Sequence, residues 1–537
     1  MATTLGFKDI IDLPMWRPLT VAPNASSTAT GGFAILSDLR NSEDRNPHIF
    51  YVNNNQSCMY NIKNDGWNYW PAGSFSFVQG SGGVFVPSQG PSGTLASGWT
   101  ANKGAVTTAF SRAPGVNSLA NRGDGRGHRI RIIGNSAGGS GKTEEVLITG
   151  NTSSTTPTIR LESSLSFTPQ SGDRYELLSG KIYWLGSSVF HSVDIANEFL
   201  NTSLSTSSIP TSSGSMRLVV HDELYVPHNR KPGEGYVIDS GVTYNNGNYN
   251  CLQATATSGT SITGHSAGGD SAVIANQYRN FQIRIVEDTT APTAVGQRRN
   301  ITSHTAGTSP VYTVPTWTVT PSSNAKYVIE GNGDRIIAMT SGVGTVWAYY
   351  INGNTGEGTA NTWSNSRFTA SPSSNFSLNY SLIIPFAIVP DADNNSHPGM
   401  MYFYGQNGSM SVLDMTAATN GTWTNSIAYT NIAGTNASPG TGSNSLSGSS
   451  IYDGATNEGR YAYLSLSSTT SQVTEMKRID FKNRCLEPWV HTRYPVSSAA
   501  TGQFLATALF IDGSTKLQHI VHLRPTTAEL TRCEVIR

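Results

Sequence analysis

The sequence predicts an all-β protein made of many short strands, with one unit present twice. Three observations carry that expectation. Turn formers are abundant, with 54 Gly and 25 Pro in 537 residues, and Asn, Asp and Ser cluster between short apolar runs as hairpin loops require. The 22 Tyr, 18 Phe and 10 Trp supply the packing surface that disordered, Ser-rich chains lack. The third observation is an internal repeat, the feature to seek first because it decides the architecture.

The first copy runs from Ile130-Arg131-Ile132 to Tyr175 and the second from Ile283-Arg284-Ile285 to Tyr327. An offset of 153 relates Ile130/Ile283, Arg131/Arg284, Ile132/Ile285, Ile148/Ile301, Thr149/Thr302, Thr152/Thr305 and Pro157/Pro310. It becomes 152 at Thr168/Thr320, Pro169/Pro321, Ser171/Ser323 and Tyr175/Tyr327, as one deleted residue would produce. The expected strands of the first copy are Arg129–Ile133, Glu145–Thr149, Thr158–Leu161 and Tyr175–Leu178. Buried-strand patterns resume directly afterwards at Lys181–Leu185 and Arg335–Met339. Two units that leave the chain at matching places read as insertions on a common frame.

Length exceeds a single ordinary core and suggests several domains. Charged residues are only 13%, and 35 basic residues balance 35 acidic ones. That leaves no field for gripping nucleic acid by its phosphates, so sequence-specific or non-specific nucleic-acid binding is not expected. Cys58, Cys251, Cys485 and Cys533 lack CxxC spacing and read as buried free thiols of a protein assembled in a reducing cytoplasm. No apolar secretory core follows Lys8, and no run of 18 apolar residues predicts a membrane span.

In chain order, residues 1–30 read as an extended arm. Its apolar residues, Phe7, Ile10, Ile11 and Trp16, show no period and are expected to contact a neighbouring subunit or a face of the chain's own frame, unless the segment simply closes the main domain as a strand. Residues 31–84 form a four-strand unit with polar turns at Asp38–Arg45, Asn53–Asn55 and Asn64–Gly66. Residues 85–180 hold the first repeat copy, 181–237 a further frame unit, 238–331 the second copy, and 332–537 the rest of the frame. Val193–Leu200 and, more weakly, Ala272–Tyr278 are the candidate helices.

Tyr60 and Trp67 flank the Asn64–Gly66 turn, an arrangement that resembles a kelch-type β-propeller blade. Trp363, Trp423 and Trp489 follow strand-and-turn units in the same way. The resemblance implies a kelch-like propeller with these aromatics packed between blades, although the double Gly of a strict kelch blade is absent. Burying one Trp contributes about 4–6 kcal/mol as an upper bound, from about 150–250 Å² at roughly 25 cal/mol/Å². Setting aside the arm and both inserted units leaves about 317 residues, six or seven blades at roughly 50 residues each. A propeller also disposes of exposed strand edges.

Motifs that suggest chemistry fail on context. Gly138–Thr143 approaches a phosphate loop, but Ser136 stands where the pattern needs Gly, and a β-type segment follows. Gly134–Gly138 and Gly264–Gly268 match GxSxG without the strand-to-helix setting of a nucleophile elbow. Arg122-Gly123-Asp124 reads as a loop tripeptide. Asp391 and Asp393 have calcium-loop spacing, but Ser396 and Tyr402 replace the Gly and Glu of an EF-hand, leaving a looser Ca²⁺ site or a polar turn. His221/His228 and His519/His522 are spaced to face opposite sides of a strand, as are Glu144 and Glu145. No catalytic residue, metal site or cofactor is therefore expected.

Trp16-Arg17-Pro18-Leu19, Ser37-Asp38-Leu39-Arg40-Asn41, and Leu165-Ser166-Phe167-Thr168-Pro169 followed by Tyr175–Gly180 resemble stretches of tailed-bacteriophage virion proteins of the tail nozzle, neck or baseplate type. That resemblance implies a structural, non-enzymatic ring, hexameric and part of a DNA exit conduit in the viral tail. It would be assembled in the host cytoplasm and dock other virion proteins. The alternative is a glycan-binding or glycan-degrading propeller at a phage tail tip.

Overall fold

The structure is a computed structural model. It describes residues 17–18, 32–36, 48–53, 56–61, 65–71, 83–86, 88–121, 127–185, 190–197, 200–204, 217–220, 252–264, 275–276, 278–332, 334–339, 346–356, 358–364 and, from 382 to 535, strand segments. It is all-β, with almost no helix and several antiparallel sheets.

Among the described residues, six sheets make the frame. The first runs Gly32–Leu36, His48–Asn53, Gln56–Asn61, Gly66–Pro71. The second runs Gly83–Val86, Lys181–Leu185, Phe190–Asp194, Leu200–Leu204. The third runs Arg217–Val220, Arg335–Met339, Val346–Tyr350, Thr362–Ser364. Leu382–Ile384 opens the fourth and Ala506–Ile511 the run of the sixth; Ser447–Tyr452 opens the antiparallel run of the fifth, to whose far edge the earlier Thr430–Asn431 adds in parallel beside Cys485–Pro488. In the sixth, Arg17–Pro18 adds beyond Glu529–Val535, with Arg17 opposite Arg532. The first strands lie side by side in series: 32–36 beside 83–86, then 217–220, 382–384, 447–452, 506–511, and back to 32–36.

Third and fourth strands share a register in three sheets. Tyr60 stands opposite Trp67, Tyr349 opposite Trp363, and Leu413 opposite Trp423. Tyr60 is fully buried and its hydroxyl donates to Asp65 Oδ1 at 2.6 Å. Asp65 itself turns the hairpin at φ 47°, the left-handed conformation that short polar side chains tolerate. Trp363 packs edge-on against Phe190 of the second sheet, ring centroids 5.2 Å apart. Phe190 also meets Tyr349 at 4.6 Å, so an aromatic cluster joins the second and third sheets. Phe7, Ile10, Ile11, Trp16, Trp489, Arg122–Asp124 and Asp391/Asp393 lie outside the described residues.

The pairing divides the frame differently from the sequence reading at two places. Val86 pairs with Lys181, so 85–86 continue the second sheet. Val220 pairs with Ile336, so 217–220 open the third sheet instead of closing a unit at 181–237. The described part of the expected helix Val193–Leu200 is not helical: Val193 and Asp194 end a strand, 195–197 turn, and Leu200 begins the next strand. Val193 pairs with Ile182 and Asn201, and Asn197 Nδ2 donates to Asp194 Oδ2 at 2.7 Å. That side-chain bond offers the backbone a turn where a helix would otherwise continue.

Each remaining sheet curls on itself. In the first, Ser92–Thr94, Arg174–Leu178, Arg129–Ile133, Thr143–Asn151, Thr158–Leu161 and Lys103–Ala105 are neighbours in that order. Leu95 bridges Val106, which brings the two ends together. In the second the order is Arg298–Asn300, Gln282–Glu287, Lys326–Glu330, Leu252–Ser258, Ser261–Gly264, Val311–Thr313, Ser303–His304. Its end strands are separated in sequence by two residues only, Ile301 and Thr302, so this sheet too bends back to its beginning. We refer to the two as barrels.

Their registers correspond. Tyr175 faces Ile132 and Gly93, and Tyr327 faces Ile285 and Leu252. Asn151 faces Ile159, and His304 faces Tyr312. The matched apolar residues fill the interiors, Ile130, Ile132, Ile148 and Tyr175 in one barrel and Ile283, Ile285, Ile301 and Tyr327 in the other. The matched threonines tie the same turn. Thr152 Oγ1 accepts from the Thr158 amide at 2.9 Å, and Thr305 Oγ1 from the Val311 amide at 3.0 Å.

A further correspondence is invisible at the sequence offset. Asn117 and Asn276 both adopt left-handed backbone, φ 59° and 66°. The Asn117 side-chain oxygen accepts from the Asn151 amide (3.2 Å), and that of Asn276 from the His304 amide (2.9 Å). Replacing Asn276 by Ala should cost about 2–3 kcal/mol in denaturant unfolding, from left-handed strain and a lost hydrogen bond. Asn276→Gly should recover the strain part alone; equal costs for the two would contradict this assignment.

Candidate functional site

In the repeat, Ile-Arg-Ile alternates on a strand, so the arginine faces opposite its two isoleucines. The isoleucines fill the barrel, and a guanidinium pointing outward normally reaches water. Here both outward faces are covered: Arg131 is 0% and Arg284 1% exposed. The cover is the other barrel.

Equivalent surfaces meet. Segment 141–142 runs against 287–288, with the Asp288 amide donating to Gly141 O at 2.8 Å. Segment 133–135 lies against 295–296, with Asn135 Nδ2 donating to Val295 O at 3.1 Å and Ile133 entering the second barrel's core cluster. At the repeat offset, 133–135 corresponds to 286–288 and 141–142 to 294–295. Each barrel therefore presents the same patch, as the subunits of a two-fold dimer do.

Within this contact a chain of charges alternates in sign. Glu145 binds Arg131 (2.7 Å), Arg131 binds Glu176 (2.6 Å), and Glu176 holds Arg298 through both oxygens (2.8 and 2.7 Å). Arg298 Nε lies 3.9 Å from Glu330, which takes Arg284 in a fork at 2.9 and 3.0 Å and the Gln282 amide at 2.8 Å. Bidentate guanidinium–carboxylate pairs supply direction as well as charge. Burial alone would raise the Glu176 carboxyl, but the Arg298 and Arg131 guanidiniums outweigh it and hold it well below the usual carboxylate range. A carboxylate held in this way is a poor proton carrier near neutrality; the arrangement is an adhesive.

A polar cleft of about 190 Å³ opens beside Glu176 and Arg298, bordered also by Gln89, Arg174, Gln282 and Asn352. It lies where the barrels meet the second and third sheets. Elsewhere Glu144 is buried and accepts from the Ser166 amide at 3.0 Å and from the Ser166 hydroxyl. Burial raises its carboxyl, partly offset by the Ser166 bonds and Lys142. Glu144 and Glu145 do face opposite ways, one to Ser166 and the other to Arg131. The Gly134–Gly138 motif is a hairpin loop: Gly134 N donates to Lys142 O at 2.9 Å, and the Ser136 amide donates to Asp173. Of Gly264–Gly268 only Gly264 is described, at a strand end. Among the described residues, no cluster of His, Cys, Asp and Glu is suited to a metal, and no helix is long and apolar enough to cross a membrane.

Sequence reasoning flagged Arg131 and Arg284 as repeat positions but missed their partners. Glu176 and Arg298 are 122 residues apart, and their repeat equivalents, Val328 and Glu145, differ from them in character. The one available signal was an arginine between two isoleucines, a charge on a strand otherwise buried.

No family model matches the chain, and no curated protein matches it. Among solved structures, Sqt1 from Chaetomium thermophilum is similar at 9% identity and TM-score 0.29, covering 97% of this chain and 100% of that one. An auxiliary nutrient binding protein from Bacteroides thetaiotaomicron follows at 10% identity and TM-score 0.20, covering 83% and 84%. Likenesses this distant carry no argument about function.

Glu176→Gln should destabilise the protein by about 3 kcal/mol, because Arg131 and Arg298 lose the carboxylate they share and keep only Glu145 and the more distant Glu330. Arg174→Gln should cost less than about 1 kcal/mol, since Arg174 is 44% exposed and 3.9 Å from Glu176. Acid titration supplies a second check. Because its folded-state pKa is depressed, the Glu176 contribution is complete above about pH 4.5 and is lost as pH falls toward the folded value. Glu144, shifted the other way, contributes with opposite sign above that range. Denaturation midpoints of Glu176→Gln should therefore fall less steeply below about pH 4.5 than those of wild type.

Proposed function

We propose that this chain is a non-enzymatic structural protein of a bacteriophage virion, a tail nozzle, neck or baseplate component. In this reading the frame is one closed, kelch-like propeller of six blades, and the two barrels are a single docking platform on its side. Support for the propeller comes from the first strands, whose neighbour series returns to its start. Support also comes from Arg17–Pro18, which adds an N-terminal strand to the sheet formed by the last three strands.

The observation that carries the docking role is the place of the insertions. Val86 pairs directly with Lys181, and Val220 with Ile336. Each barrel thus occupies what would otherwise be a hairpin turn, between the first and second strands of consecutive sheets. Neither pairing needs a barrel to close it, so the barrels' use lies in what they contact. Their Ser/Thr-rich outer strands suit broad, polar, wet interfaces. The balanced charge suits a conduit that does not hold DNA by its phosphates. The viral assignment itself rests on the sequence resemblance, which also implies a hexameric ring.

The test replaces 88–179 and 222–334 together with short Gly/Ser turns, so that no member of the buried ion chain is stranded. The expected outcome is a folded frame and particles whose tails are incomplete by electron microscopy. Normal infectious particles would overturn the docking role. Release of reducing ends from host polysaccharide by the purified full chain would favour the alternative, a glycan-degrading propeller at the tail tip.

A further inference from the structure

Position 304 is where the two barrels differ in chemistry while sharing geometry. In the first barrel Asn151 Oδ1 accepts the Leu119 amide at 2.9 Å. In the second, His304 Nε2 accepts the corresponding Tyr278 amide, also at 2.9 Å. Both strand residues donate their own amide to the left-handed asparagine two residues before that partner, Asn117 or Asn276. Both also return a carbonyl bond to it, at 3.0 and 3.1 Å. An amide oxygen can accept at any pH. An imidazole nitrogen accepts only while it carries no proton.

The ring has no alternative arrangement. Nδ1 lies 2.9 Å from Thr305 O, so Nδ1 holds the proton and Nε2 is the acceptor. His304 is 4% exposed, stacked on Tyr278 at 5.5 Å and tilted against Tyr312 at 5.2 Å. The groups facing it from the packed elements are Tyr278 and Arg279 of the loop and Tyr312 of the neighbouring strand. Arg279 carries the full charge among them, and it is positive. Its Nε is engaged by Thr302 O at 2.8 Å. A second proton on the ring would set N–H against N–H at Tyr278 and add a cation beside a cation in a buried site.

We propose that His304 is an acid-sensitive latch: a proton on Nε2 releases the Tyr278 amide and opens the turn at 278–281, while the first barrel, latched by Asn151, stays closed. Burial, reinforced by Arg279, lowers the His304 pKa despite the Thr305 bond. The linkage sign follows. The latch is complete above about pH 6.5 and weakens as pH falls below it toward the folded value, because the opened state takes up the proton first. Acid would then loosen one barrel of a pair whose mutual contact and ion chain lie elsewhere.

The experiment is amide hydrogen exchange on the full chain at about pH 7.5 and about pH 5.5, corrected for intrinsic rates, for wild type and His304→Asn. Wild type should lose about tenfold or more protection at Tyr278 on acidification. His304→Asn, which installs the first barrel's solution, should keep protection at both values. Should that variant not fold, His304→Gln offers a non-titrating acceptor for the same comparison. Equal wild-type protection at the two pH values, or the same acid loss in the folded variant, would overturn the proposal.

Discussion

A carboxylate between two guanidiniums holds the two barrels of this protein together. Glu176 belongs to one barrel, Arg298 to the other, and Arg131 anchors the carboxylate from behind. Removing ions from water costs several kcal/mol each, often more than an isolated buried pair regains. The alternation Glu145, Arg131, Glu176, Arg298, Glu330, Arg284 reduces that difficulty, because most charges have an opposite on two sides. The arrangement also has direction. Hydrophobic contact alone would let two similar barrels slide, whereas forked guanidinium pairs define one relative position.

The two barrels show how a duplicated unit diverges under a shared geometry. Interior positions kept their identity because each change of volume is felt in a close-packed core. Ile130, Ile132 and Tyr175 reappear as Ile283, Ile285 and Tyr327 for that reason. At the mutual contact, equivalence of place persisted while identity did not: Glu145 corresponds to Arg298 and Glu176 to Val328. An interface between identical patches would set like charges against each other. Divergence within one chain allows opposite signs to meet.

This division explains what could be read from residues alone. The all-β class, the repeat and the strands from 129 to 178 were legible because core positions recur with a strand's period. The Asn117/Asn276 latch was not, since its offset is 159 and asparagine is common throughout the chain. The ion chain was not, because its central pair spans two units, and nothing in either strand specifies which surface will cover it. The expected helix at Val193–Leu200 failed for a local reason: Asp194 and Asn197 bond to one another, and that makes a turn. The pairing of 217–220 with 335–339 crosses an entire barrel and leaves no mark in the intervening sequence.

The placement of the barrels inside hairpins governs the order in which the chain can fold. Strand 83–86 must wait for 181–185, and 217–220 for 335–339. A flexible loop of that length imposes an entropic cost and delays pairing. A barrel that folds first removes the delay, because its own closure brings its two ends together and presents the flanking strands as if a short turn joined them. Vectorial synthesis favours this sequence of events, each barrel being complete before its host sheet is. Arg17–Pro18 finds its place only beside 529–535. A chain interrupted anywhere upstream of that last strand keeps an unpaired edge, open to other strands and to proteolysis. The hydrogen bonds of Arg17–Pro18 therefore form only after residues 529–535 have been made, a form of quality control built into connectivity.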